Sequence, residues 1–75
     1  MIAEVYLKDS SAVERLNREA CQQMFDLSVS CGSTMVDAKS LVALFPLVGK
    51  KVHIVGPDEL NPKYFRKMVK RMHLD

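Results

Sequence analysis

The feature that most constrains this chain is a repeated change of hydrophobic period. Ile2 to Leu7 alternates, with Ala3, Val5 and Leu7 on one face and Glu4 on the other. Phe25 to Cys31 alternates again, placing Phe25, Leu27, Val29 and Cys31 inward and Asp26, Ser28 and Ser30 outward. Thr34-Met35-Val36 follows a Cys31-Gly32-Ser33 turn as the return strand of a hairpin, and Lys51 to Val55 turns Val52 and Ile54 inward. A period of two with one apolar face describes a strand buried on one side only. Between these runs the period lengthens to that of a helix.

The first helical stretch follows Asp9-Ser10-Ser11, where Ser11 and Glu14 have capping-box form. Its apolar face is Val13, Leu16, Ala20 and Met24, and Glu14, Arg15, Arg18 and Glu19 are expected to point outward. Asp9 is a turn or N-cap residue in this reading. A second, short helix opens at Ser40, with Leu41, Leu44 and Phe45 as its apolar stripe and Pro46 as its stop. Asn61 before Pro62 marks the start of the third. It runs to about Met72, with Tyr64, Phe65, Met68, Val69 and Met72 directed at the core. The order is βαββαβα, without linker or repeat. Single-faced strands and three amphipathic helices define an α+β fold, an open-faced β-sandwich with a four-stranded antiparallel sheet covered on one side. At 75 residues the chain is expected to form one domain, residues 1–75, around one small core.

Composition excludes several function classes. A net charge of +2 is too small to argue for nucleic acid. No apolar run approaches membrane-spanning length, and the first residues lack a basic-then-apolar signal. Cys21 and Cys31 have no CxxC partner and no histidine at ligand spacing, so they read as reduced, buried thiols. No metal site and no cofactor are expected from His53 and His73, which are twenty residues apart. His53 falls mid-strand on the exposed face, and His73 at the end of the last helix. The basic residues Lys63, Arg66, Lys67, Lys70 and Arg71 read first as the solvated side of that helix, with nucleic-acid binding a distant alternative.

Ser40 carries the most chemistry. A hydroxyl at a helix start faces unpaired backbone N–H groups and the positive end of the dipole, where it caps the helix or carries a phosphate. Between Asp26 and Glu59 a hairpin is followed by Ala38-Lys39-Ser40-Leu41, by a glycine ahead of Val52-His53-Ile54-Val55, and by the turn Gly56-Pro57-Asp58-Glu59. In these motifs the chain resembles the HPr family, the small phosphocarriers of the bacterial sugar phosphotransferase system. The element order extends the resemblance loosely over the whole chain.

That family has a phosphorylated histidine in a Gly-Leu-His-x-Arg-Pro pattern at the first helix and a regulatory serine at the second. Ser40 matches the serine. The histidine pattern is unmatched: Lys8 to Leu16 holds no histidine, glycine or proline. The resemblance therefore implies a divergent member without the active-site histidine, similar in kind to catabolite repression HPr. It implies a cytoplasmic protein that is not an enzyme, with Ser40 as the switch and Lys39, Leu41, Leu44, Phe45, Leu47 and Val48 as a docking patch. The partners implied are a serine kinase and a LacI-type transcriptional regulator or phosphotransferase components, with no direct nucleic-acid or membrane contact. An unphosphorylated binding module on the same scaffold, or a phosphocarrier using a non-standard residue, are the alternatives.

Overall fold

The computed structural model describes residues 1–74. Strand β1 (Ile2–Leu7) leads into helix α1 (Ser10–Cys21), and β2 (Ser28–Cys31) and β3 (Thr34–Asp37) form the hairpin. Helix α2 (Leu41–Leu44) continues as a 3-10 turn, Phe45–Leu47, before β4 (Lys50–Val55) and helix α3 (Pro62–Arg71). The sheet is antiparallel in the order β1-β4-β2-β3. Val5 pairs with Val52, and Ile54 lies between Ala3 and Val29, so the apolar residues of neighbouring strands share one face. This is the open-faced α+β sandwich expected from the alternating pattern, in the architecture that the resemblance to HPr implies.

The covered face brings Val5, Leu7, Val29, Val52 and Ile54 against Val13, Leu16 and Ala20 of α1, Phe65 and Met68 of α3, and Met72 just after it, all buried. Burying one such aliphatic side chain contributes about 2 kcal/mol before entropy is counted. The opposite face carries Glu4, Tyr6, Lys51 and His53, all exposed. Gly32, at φ 62°, supplies the positive φ at the first position of the two-residue hairpin turn. Gly56 is needed for a different reason. A Cβ there would stand 2.9 Å from Phe65 Cε1, so only glycine lets α3 settle against the end of β4.

Several local expectations are corrected. Asp9, not Ser11, caps α1, its Oδ1 accepting from the Ala12 N–H at 2.9 Å. The helix ends at Cys21, so Met24 leaves its apolar face and is fully exposed. Glu19, expected outside, is buried against α3. The second strand starts at Ser28 rather than Phe25, because the connection leaving α1 occupies those residues; Leu27 is nonetheless buried. Tyr64 is exposed and packs edge-on against Phe25. Pro46 does not end the helical path: α2 stops at Leu44 and the chain winds through the proline as the tighter 3-10 turn.

Candidate docking site around Ser40

Strand β3 delivers the chain to Ser40 through a turn built by Asp37. The Asp37 carboxylate accepts from the Lys39 N–H at 2.9 Å, and its carbonyl accepts from the Ser40 N–H at 3.0 Å. This is the local geometry aspartate favours just ahead of a helix. Ala38 between them is buried, its N–H bonded to the Leu27 carbonyl and its carbonyl to Asn17 Nδ2. Ser40 is therefore held on both sides before α2 begins. It has an extended backbone, φ −100° and ψ 102°, and its hydroxyl oxygen accepts from the Ala43 N–H at 3.3 Å. It is the N-cap expected, and it is half-buried. Lys39 Nζ stands 3.9 Å from Asp26 across the surface.

The patch expected beyond Ser40 divides in two. Leu44 and Leu47 enter the core and are unavailable to a partner, because the 3-10 turn rotates Leu47 under the sheet-facing side. Leu41 is half-buried and borders a shallow groove with Asn17, Arg18 and Cys21 of α1. Phe45 and Val48 remain outside, 41% and 36% exposed. Val42, which sequence reasoning missed, is 83% exposed beside them. Its only sequence signal is that it lies off the helical stripe and is nonetheless apolar.

The start of α1, where the resemblance would place the histidine, is closed by the Asp9 carboxylate. Arg15 does not lie free on the surface. Its Nε–H and Nη2–H donate to the Met72 and His73 carbonyls, each at 2.9 Å, and Nη1–H to Ser11 Oγ at 2.6 Å. His53 is on the open sheet face, 3.8 Å from Glu4. His73 follows α3 with φ 53°, at the negative end of that helix. Cys21 is exposed and Cys31 half-buried, both free thiols, which corrects their expected burial. Among the described residues no three His, Cys, Asp or Glu side chains gather as metal ligands, and no helix is long and apolar enough to cross a membrane.

No protein-family model matches the chain, and no curated protein matches it. Any functional reading therefore rests on the residues and geometry of this chain.

Proposed function

We propose that this chain is a protein-docking module on an HPr-like scaffold, regulatory rather than catalytic, with Ser40 as the residue whose phosphorylation controls docking. The observation that carries the reading is the group of exposed apolar side chains, Val42, Phe45 and Val48, immediately after a half-buried capping serine. Apolar residues gathered on a surface mark a place where a partner gains by covering them. A phosphoryl group on Ser40 would add about −1.5 to −2 charges beside that patch, at the favourable end of α2, and a partner's arginine would read it. The partners fitting this scheme are a serine kinase and a LacI-type transcriptional regulator or a phosphotransferase component.

Relay of phosphate is disfavoured by the same geometry. A phosphoryl group at the start of α1 would meet the Asp9 carboxylate, and neither histidine stands at a helix N-terminus. A serine ester, unlike a phosphohistidine, is a poor donor. The second reading keeps the docking surface and dispenses with phosphorylation. It is favoured by the bond Ser40 already makes as a cap.

Incubation with an HPr-type serine kinase and ATP, and separately with enzyme I and phosphoenolpyruvate, tests the proposal by intact mass and site mapping. One phosphoryl group on Ser40 from ATP alone, absent in Ser40→Ala, is the expected result. Ser40→Ala also removes the cap, costing about 1 kcal/mol, so its folding is checked alongside. An acid-labile phosphate from phosphoenolpyruvate would establish a carrier instead. No transfer in either reaction leaves the unphosphorylated module.

A further inference from the structure

The strand order makes β1 an edge of the sheet. On its inner side the Gly56 N–H donates to the Met1 carbonyl at 2.8 Å, which places Met1 in the set of residues bonded to the β4 side. In an antiparallel ladder the alternate set turns its backbone groups away. Ile2 and Glu4 therefore present N–H and C=O to the outside. Ile2 is also 66% exposed, an apolar side chain on an edge that lacks the lysine or proline protecting many such strands.

Helix α3 runs beside this edge, and an open groove of about 450 Å3 lies between them. Ala3, Phe65 and Val69 line it, and Ile2, Arg66 and Lys70 stand around it. The charge of the helix is one-sided. Lys63, Arg66, Lys67 and Lys70, spaced to share one helix face, surround a second shallow concavity, and α3 contains no acidic residue. Among the described residues none of these cations makes an ion pair; the fifth, Arg71, is held by Glu19.

We propose that this groove binds an acidic peptide segment in extended conformation, which adds a strand to the free edge of β1. Its backbone pairs with Ile2 and Glu4, its apolar side chains cover the half-buried Ala3 and Val69, and its carboxylates meet Arg66 and Lys70. Strand addition derives affinity from backbone bonds and specificity from alternate side chains. Unpaired backbone groups, an apolar floor and a cationic border together describe that ligand. A nucleic-acid strand uses only the border, and the exposed aromatic of α3, Tyr64, is engaged with Gln23 and Arg71 rather than open for base stacking. The groove lies at the opposite edge of the sheet from β3, against which α2 packs, so it is independent of the reading of Ser40.

The test uses a short fluorescein-labelled peptide whose one alternating set reads Glu-Val-Ile-Glu and whose other set is threonine. Fluorescence anisotropy should show binding at low salt that weakens as salt rises, with amide shifts at Ile2 and Glu4 in NMR spectra. Arg66→Glu with Lys70→Glu, its fold verified by circular dichroism, should lower affinity about tenfold or more. Backbone N-methylation of one alternating set should abolish binding, and methylation of the other should leave it unchanged. Equal binding by a peptide with lysine in place of glutamate, or equal loss from both methylated sets, overturns the proposal. So does binding of single-stranded DNA or phosphatidylserine vesicles through the same cations when the glutamate peptide fails to bind.

Discussion

Arg15 commits its whole guanidinium to the end of another helix. The Met72 and His73 carbonyls it reaches belong to the turn where α3 runs out of intrahelical partners. The cation also sits at the negative end of that helix. Replacing Arg15 with alanine should therefore destabilise the fold by about 2 kcal/mol in urea denaturation, the scale of a charge-assisted bond removed from the partly shielded Met72 carbonyl, the His73 carbonyl being exposed. Arg15→Lys should restore less than half of that, because an ammonium group cannot span both carbonyls in the planar fork. A loss within error of zero for alanine would mean that water serves those carbonyls equally well. From the sequence Arg15 looked like a solvated helix residue; the acceptor it uses at Met72 is 57 positions away, and no local pattern announces such a pair.

Between elements, α1 and α3 are joined by a polar knot inside an otherwise apolar contact. Glu19 accepts from Arg71 Nη2 at 2.8 Å and Nε at 3.1 Å, and from Gln23 Nε2 at 3.0 Å, while the Tyr64 hydroxyl donates to Gln23. The two partners are unequal: the Glu19 side chain is 10% exposed, that of Arg71 48%. Arg71→Met should thus destabilise the fold more than Glu19→Gln does, because it strands a nearly buried carboxylate with one amide for company. Glu19→Gln, which returns a half-exposed guanidinium to water, should cost under about 1 kcal/mol. Equal losses on denaturant unfolding would show that the pair behaves as an ordinary surface contact. Hydrogen bonding to Glu19 raises the Arg71 pKa above the usual arginine value, against the opposing effect of desolvation. A raised pKa stabilises the fold below the unfolded value and is lost only above the folded one. Arg71 therefore stays charged, and its share of the pair unchanged, from neutral to mildly alkaline pH.

At the scale of the molecule, stability rests on one thin layer of side chains. Leu16, fully buried, lies in the same core cluster as Leu7 and Val52 of the sheet and Met68 of α3. Leu16→Ala should remove about 3 kcal/mol. That is a large part of the roughly 4–11 kcal/mol expected for a domain this small. Thermal unfolding followed by circular dichroism should show a sharp drop in Tm, and a shift of only a few degrees would mean that the core closes over the cavity. The two proposed surfaces lie at opposite edges of this layer, Ser40 with its exposed neighbours beside β3 and the cationic groove beside β1. A partner at one need not disturb the other.

What the residues determined by themselves was local and periodic. One-sided alternation specified which face of each strand is covered, because a side-chain period of two leaves only one register that buries the apolar set. Asn61-Pro62 and Ser40 announced their helix starts, because a cap depends on groups within three residues. Only the tertiary structure decided that Glu19 turns inward and Arg15 reaches α3, since both partners come from the far end of the chain. It also decided which of the apolar residues after Ser40 remain outside. Leu44 and Leu47 differ from Val42 and Phe45 not in hydrophobicity but in whether a helix turn carries them toward the sheet, and that depends on where α2 packs.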